Sequence, residues 1–250
     1  MAELPLVLLH AFPVDSRMWN GVRATLAART RLITPDQRGL GRSPMPETDR
    51  EPSLDDAAAD VVALLDKLEL EQVVLGGCSM GGYLTMAVLR RAPERIGGLV
   101  FIDTKATADA PAAAANRHNV AERAERTGSV AWLAPSMVSK LVSKGTLYRR
   151  QDVVDDLRGW ISAQPPAGVA WAQRAMAARP DSTDLLREAD VPALVLVGAE
   201  DGITPPAEAR AMADALPKAR LVELPRAGHL SPLDDPAGVA DAIVRWYDSW

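Results

Sequence analysis

The residues whose types and spacing most clearly indicate catalytic chemistry lie around Ser79, the centre of the segment Gly77-Cys78-Ser79-Met80-Gly81. A β-branched apolar run precedes this segment and a helix-forming stretch follows it, which predicts a strand, a sharp turn and a helix. The residues two before and two after a serine in so tight a turn must be small, as Gly77 and Gly81 are. If Cys78 were the nucleophile, one of the two positions that require a small residue would be occupied by the bulky Met80. We therefore predict that Ser79 is a nucleophile for acyl transfer, placed where a helix dipole favours developing negative charge.

Two later residues supply what such a serine requires. Asp201 and His229 each follow a predicted strand, in the segments Gly198–Gly202 and Pro225–His229. An imidazole can take the serine proton, and a buried carboxylate holds that imidazole in the required tautomer. Asp103 also ends a predicted strand and is an alternative acid, but Asp201 has the fuller motif around it. The sequence thus predicts a catalytic set of Ser79, Asp201 and His229.

Six short segments, most of them continuous apolar runs, predict the strands that would position these residues. Segments of helical periodicity separate most of the runs, an alternation that indicates an α/β fold with a parallel sheet of about six strands flanked by helices. Because parallel strands end at one edge of the sheet, the three candidate residues are expected to meet there. The predicted strands are Leu6–Leu9, Leu32–Thr34, the run from Val73, Leu99–Ile102, Ala193–Val197 and Arg220–Leu224.

The alternation breaks between about Lys105 and Asp190, where the chain is alanine-rich and amphipathic and has no convincing strand. Helical patches are predicted at residues 112–126, 130–144, 152–161 and 169–178. A long insertion of this kind in a parallel sheet predicts a helical lid. We therefore divide the chain into a core of residues 1–103 and 191–250 and a lid of residues 104–190.

Composition narrows the classes of function. The chain has 250 residues, 48% of them hydrophobic, which is enough for one full α/β core. Its net charge is −5, without a run of more than two Lys or Arg, so we expect neither nucleic acid nor a membrane surface as a partner. The single cysteine excludes an intrachain disulfide. The apolar run near Met1 is too short for a signal peptide or a membrane span, and we expect a cytoplasmic protein.

Five motifs in addition to the serine turn carry a family resemblance. The chain resembles an α/β-hydrolase of the small, lidded carboxylesterase and enol-lactonase group along essentially its full length. The N-terminal β-hairpin of many relatives is missing, which agrees with six strands. The motifs are Leu9–Pro13, Asp15–Trp19, Asp36–Ser43, Gly77–Gly82, Gly198–Pro205 and Ala227–Pro232.

The resemblance also implies an oxyanion hole made by the backbone N–H groups of Phe12 and Met80. Ala11 replaces the family's usual glycine, and this replacement is expected to tighten the loop while keeping its N–H. His10 is expected either to orient the oxyanion loop through a hydrogen bond or to be an ordinary buried histidine.

Three classes of function follow from these residues. The leading hypothesis is hydrolysis of a small carboxylic ester or lactone through an acyl-Ser79 intermediate, without a metal or cofactor. The same residues serve cofactor-free haloperoxidases, perhydrolases and carbon–carbon bond hydrolases that resemble this chain. A non-catalytic ligand binder on the same fold is the third hypothesis, and a complete catalytic set argues against it. Four lid residues, Trp132, Met137, Trp160 and Met176, are expected either to line an acyl pocket or simply to pack.

Overall fold

A computed structural model describes residues 4–249, so residues 1–3 and 250 of the predicted core lie outside the described part. The predicted fold class is confirmed: six strands form one parallel sheet in the order β2-β1-β3-β4-β5-β6. Strands β1, β3 and β5 are buried along their whole length, because helices cover them. The strands are β1 Leu6–Leu9, β2 Leu32–Ile33, β3 Val73–Cys78, β4 Ile96–Ile102, β5 Ala193–Gly198 and β6 Ala219–Leu224.

The register of the sheet aligns the ends of its central strands. Cys78 pairs with Ile102, and Ile102 pairs with Leu196 on the next strand. Gly198, at the end of β5, pairs with Leu224, at the end of β6. The loops after β3, β4, β5 and β6 therefore leave the sheet side by side along one edge.

Helices surround this sheet and join its strands. Helices α1 and α12 pack against each other, α2 packs on α3, and α10 packs on β5 and β6. In the core, the helices are α1 Asn20–Arg29, α2 Leu54–Lys67, α3 Met80–Arg91, α10 Pro206–Ala215, α11 Ser231–Asp234 and α12 Pro236–Tyr247. Across residues 4–249, no helix combines the length and apolar character needed to cross a bilayer.

The segment between β4 and β5 is helical, as its composition predicts. The predicted helical patch at 130–144 is helical over residues 131–141, and it ends there because Val142 has extended backbone and Ser143 caps a new helix by accepting from the N–H of Thr146. The division into a core and a lid domain stays a prediction. The helices of this insertion are α4 Pro111–Thr127, α5 Ala134–Leu141, α6 Lys144–Arg149, α7 Gln151–Ser162, α8 Pro166–Ala177 and α9 Thr183–Glu188.

Candidate active site

Ser79 forms the turn between β3 and α3 with φ 52° and ψ −112°, a conformation that residues with side chains rarely adopt. A Cβ atom on Gly77 would overlap the backbone of Gly81, and a Cβ on Gly81 would overlap the carbonyl group of Leu9. The close packing around the turn therefore requires glycine at both positions. It leaves the hydroxyl of Ser79 at the amino end of α3.

Cys78 points away from this turn into the protein. Its thiol is fully buried, 3.9 Å from Oδ2 of Asp103 and 3.8 Å from the carbonyl oxygen of His229. Burial, reinforced by the nearby carboxylates, raises the pKa of the Cys78 thiol well above its usual value. The thiolate that a cysteine nucleophile needs is therefore disfavoured here.

A chain of hydrogen bonds joins Ser79, His229 and Asp201. Nε2 of His229 lies 2.7 Å from Oγ of Ser79, and Nδ1 of His229 lies 2.8 Å from Oδ2 of Asp201. All three side chains are buried. Because the carboxylate of Asp201 can only accept a hydrogen bond from Nδ1 of His229, the neutral imidazole carries its proton on Nδ1. It therefore presents the lone pair of Nε2 to the serine hydroxyl. The geometry fits a serine that loses its proton to a positioned base.

Hydrogen bonds hold the carboxylate of Asp201 in its charged form. Its Oδ1 accepts from the backbone N–H groups of Ile203 at 2.8 Å and Thr204 at 3.0 Å. Burial raises the pKa of Asp201, but the interactions with His229 and Thr204 outweigh burial, and the pKa lies below its usual value. Asp201 therefore remains an anion through the neutral range.

Asp103, the alternative acid, faces other partners. Its Oδ1 accepts from the N–H of Gly198 and its Oδ2 from the N–H of Ser231, both at 2.9 Å. Burial first, and then the charge of Asp201, raise the pKa of Asp103 to about 7. Asp103 thus ties the ends of β4 and β5 to the loop after His229, and its carboxylate makes no hydrogen bond to the imidazole among the described residues.

The two backbone donors implied by the resemblance are free to bind an anion. Within residues 4–249, the N–H groups of Phe12 and Met80 donate to no other group. Met80 is the first residue of α3, where a helix leaves its N–H groups without internal partners. Ala11, in contrast, donates its N–H to Sδ of Met18 at 3.1 Å.

His10 supports the loop that carries Phe12. It is fully buried, its Nε2 accepts from the N–H of Gln37 at 2.9 Å, and its Nδ1 lies 2.9 Å from the carbonyl oxygen of Ala11. Burial lowers the pKa of His10, which favours the neutral ring that can accept at Nε2. The side chain of Gln37 donates in turn to the carbonyl of His10 at 2.6 Å. These bonds fit the orienting role proposed for His10.

A cavity of about 530 Å³ lies between Phe12 and the helical insertion. Of the four predicted lid residues, Trp132 and Met137 line this cavity, while Trp160 and Met176 do not. Phe12 connects the cavity with the loop that follows β1. The structure therefore places only part of the predicted lining beside the loop of Phe12.

Trp160 and Met176 have other surroundings. The guanidinium of Arg17 lies 5.5 Å from the ring centroid of Trp160. Met176 is buried, with its Sδ 3.3 Å from Nη1 of Arg117. Both side chains act as packing surfaces for arginine side chains in this structure.

Thr204 is a site residue that the sequence reasoning missed. Its hydroxyl donates to Oδ2 of Asp201 at 2.8 Å and lies 3.3 Å from Nδ1 of His229. The sequence does contain a signal for it, because an aspartate accepts readily from N–H groups two and three residues further on in a turn. Thr204 stands three residues after Asp201 in the same loop, and its N–H is the second of these two donors.

The sheet order, the helical insertion after β4 and the strained serine turn together define the class of protein. Residues 5–236 match the family described as alpha/beta hydrolase fold. This match spans most of the chain, and the protein belongs to the α/β-hydrolase family. The predicted family resemblance is thereby confirmed.

Several relatives of known name are similar along nearly the whole chain. A thermophilic esterase from Thermogutta terrifontis, in a malate-bound structure, is 41% identical with a TM-score of 0.94 and covers 98% of this chain and 90% of its own. The enol-lactonase from Burkholderia xenovorans LB400 is 27% identical with a TM-score of 0.90, over 99% and 92% of the two chains. A Mycobacterium tuberculosis protein with the name "Putative non-heme bromoperoxidase BpoC" is 30% identical over 98% of this chain and 94% of its own length. Esterases, lactonases and bromoperoxidase-like proteins thus share this fold.

Proposed function

We propose that this protein is a serine hydrolase that cleaves a small carboxylic ester or lactone through an acyl-Ser79 intermediate. The observation that carries the proposal is the continuous hydrogen-bond chain from Oγ of Ser79 through His229 to Asp201. The similarity to an esterase and an enol-lactonase supports the same reaction class. Fold similarity by itself does not choose a substrate, so the residues of the site carry the argument.

In the acylation step, Oγ of Ser79 attacks the carbonyl carbon of the substrate while Nε2 of His229 takes the hydroxyl proton. The negative charge that develops on the carbonyl oxygen accepts hydrogen bonds from the N–H groups of Phe12 and Met80. Asp201 stabilises the imidazolium. His229 then gives its proton to the leaving alkoxide as the carbon–oxygen bond of the ester breaks.

In the deacylation step, water attacks the acyl carbon and gives its proton to Nε2 of His229. Collapse of the second tetrahedral intermediate breaks the bond to Ser79, which recovers the proton from His229. An ester yields an alcohol and a carboxylic acid, and a lactone yields a single hydroxy acid. The proposed mechanism uses no metal or cofactor. It assigns residues 104–190 to a lid over the substrate, with Trp132 and Met137 against the acyl chain.

A fluorophosphonate probe tests this proposal directly. We expect the probe to label the wild-type protein and the matched Cys78→Ala variant but not Ser79→Ala. Turnover of p-nitrophenyl acetate should fall in Ser79→Ala to the residual acceleration, about 10³–10⁴-fold over water, that binding and oxyanion stabilisation give. Labelling at Cys78, or unchanged turnover in a folded Ser79→Ala variant, contradicts the mechanism.

The bromoperoxidase-like relative favours a second candidate reaction. In it, hydrogen peroxide replaces water as the attacking group on acyl-Ser79, and the product is a peracid that oxidises bromide. Both reactions share the acylation step, so the Ser79→Ala variant abolishes both. Comparing ester turnover with acetate- and peroxide-dependent bromination of monochlorodimedone separates them, and we expect ester hydrolysis to have the larger kcat/KM.

A further inference from the structure

The backbone on both sides of His229 is held by hydrogen bonds. Leu230, which follows His229, donates its N–H to the carbonyl oxygen of Leu141 at 2.7 Å. Gly228, which precedes His229, donates its N–H to Oδ2 of Asp234 at 2.6 Å. Leu141 is the last residue of α5, so the first of these bonds joins the loop of His229 directly to the helical insertion.

The carboxylate of Asp234 joins the second of these bonds to the same part of the insertion. Its Oδ2 also accepts from the N–H of Ser143 at 2.9 Å, and its Oδ1 accepts from the hydroxyl of Ser143 at 3.2 Å. Ser143 is buried between α5 and α6, where it caps α6 by accepting from the N–H of Thr146. One carboxylate therefore binds both the loop that carries His229 and the junction between two helices of the insertion.

The backbones of the two segments touch at this point. A Cβ atom on Gly228 would lie 2.8 Å from the backbone nitrogen of Ser143 and 2.8 Å from the carbonyl carbon of Val142. Such distances are too short for a side chain, so glycine at position 228 allows the approach. The contact brings the N–H groups of Gly228 and Ser143 to the same carboxylate oxygen.

A second carboxylate links the same junction to the loop of Asp201. Lys144, the first residue of α6, donates its N–H to Oε2 of Glu200 at 3.2 Å. Glu200 immediately precedes Asp201, and Ser143, which binds Asp234, immediately precedes Lys144. Consecutive N–H groups at the beginning of α6 thus bind one carboxylate from each of the two loops that supply the acid and the base of the proposed mechanism.

The hydrogen bonds of Asp234 can be separated from its charge. Burial raises the pKa of Asp234 above its usual value, although hydrogen bonds from Thr146, Gly228 and Ser143 oppose the shift. Two N–H donors converge on Oδ2, and an amide oxygen in that position can accept from both. The amide NH₂ can donate to the hydroxyl of Ser143. Asp234→Asn therefore keeps these bonds without the charge, whereas Asp234→Ala loses them.

We propose that Asp234 is a positioning residue for His229, and that the α5–α6 junction is a fixed part of the active site rather than a mobile part of a lid. Asp234 acts through the N–H of Gly228 and so controls where Nε2 of His229 lies relative to the hydroxyl of Ser79. This inference rests on the proposed function, because it concerns the base of that mechanism. Misplacing a catalytic group by about 1 Å can lower a rate by about 100-fold.

The test compares Asp234→Ala with Asp234→Asn in steady-state hydrolysis of p-nitrophenyl acetate. We expect kcat to fall by about 100-fold in Asp234→Ala with KM nearly unchanged, and to stay close to the wild-type value in Asp234→Asn. Asp235→Ala is the matched control, because the side chain of Asp235 caps α12 by accepting from the N–H of Gly238. This control should lower the urea midpoint while keeping the wild-type kcat.

The rate at which a fluorophosphonate labels Ser79 separates this inference from the proposed function, because labelling needs no ester substrate. We expect slow labelling in Asp234→Ala and nearly wild-type labelling in Asp234→Asn. If esters are hydrolysed but a folded Asp234→Ala protein keeps the wild-type kcat and labelling rate, the positioning role is refuted and the hydrolase proposal stands. If the labelling rates follow the expected order but no ester or lactone is turned over, the positioning role stands and the hydrolase proposal fails. Equal losses in both variants would assign the effect to charge and overturn the positioning role.

Gly228→Ala tests the same contact from the other side. Its Cβ would press against Val142 and Ser143, so kcat and the labelling rate should fall while KM stays nearly unchanged. If Asp234→Ala does not fold, this variant decides the question. A folded Gly228→Ala protein with the wild-type kcat and labelling rate would refute the positioning role.

Discussion

Replacing Asp201 by Asn tests which carboxylate orients His229. Oδ1 of Asp201 accepts from two backbone N–H groups, of Ile203 and Thr204, while Oδ2 faces Nδ1 of His229 at 2.8 Å. In Asp201→Asn the amide oxygen must take the Oδ1 position, because an NH₂ group cannot accept from those two donors. The NH₂ group then donates to Nδ1 of His229. The imidazole proton is thereby moved to Nε2, the atom that lies 2.7 Å from Oγ of Ser79.

An imidazole protonated on Nε2 cannot take the proton of Ser79. We therefore expect kcat to fall by about 10⁴-fold, about 5.4 kcal/mol in activation free energy, the size found when the same change reverses the tautomer in a serine protease. KM should change little, since Asp201 touches no substrate. The assay is steady-state hydrolysis of p-nitrophenyl acetate, with urea unfolding to establish that the variant is folded.

Asp103→Asn is the matched variant. The carboxylate of Asp103 accepts from the N–H groups of Gly198 and Ser231, and an amide can satisfy only one of them. This variant should lose about 1–3 kcal/mol of stability. Its kcat should change by less than about tenfold, because the bond between Asp201 and His229 is intact. The reverse ranking of the two variants would refute the assignment of Asp201, as would a folded Asp201→Asn protein with nearly wild-type kcat.

Three further predictions concern packing, pH and the insertion. Gly81→Ala should destabilise the protein by more than about 1–3 kcal/mol in urea unfolding, because the new Cβ would overlap a carbonyl of β1. Gly159→Ala, which has open space around it, is the control and should be neutral or stabilising. Equal urea midpoints for the two variants would contradict this prediction. The folded-state pKa of Asp103 is raised to about 7, so its contribution to stability is complete below about pH 4 and is lost as pH rises to 7. The wild type should therefore lose up to about 4 kcal/mol relative to Asp103→Asn over that range, and parallel stability curves would rule this out. Trp132→Ala should change the ratio of kcat/KM between butyrate and decanoate esters by an amount equal to about 1–3 kcal/mol, whereas Trp160→Ala, outside the cavity lining, should leave the ratio unchanged. An unchanged ratio in Trp132→Ala would make that side chain ordinary packing.

The sequence was sufficient to predict the parts of the site that depend on local chemistry. Gly77 and Gly81 indicate the serine turn because a tight strand-to-helix connection has no room for side chains at those positions. The strand before Asp201 is recognisable as a short apolar run, and the strand before His229 as a short segment in which Arg220 and Glu223 stand among apolar residues. Since parallel strands present their carboxyl ends at one edge, the proximity of these residues to Ser79 could be predicted without coordinates.

Only the tertiary structure shows which acid faces the imidazole. Asp103 and Asp201 both follow strands of the same sheet edge, and sequence spacing does not fix where a side chain points. Asp103 adopts φ 47° and turns its carboxylate toward the N–H groups of Gly198 and Ser231, which belong to distant parts of the chain. Asp201, held by its own loop, is left to meet His229.

The cavity was also decided by tertiary structure. The amphipathic, alanine-rich insertion was recognised as helical from its sequence, but the sequence did not indicate which segments its helices pack against. Trp132 and Met137 line the cavity, whereas Trp160 and Met176 pack against arginine side chains. A side chain's local sequence determines the element that carries it, but its neighbours depend on how that element packs against segments far away in the chain.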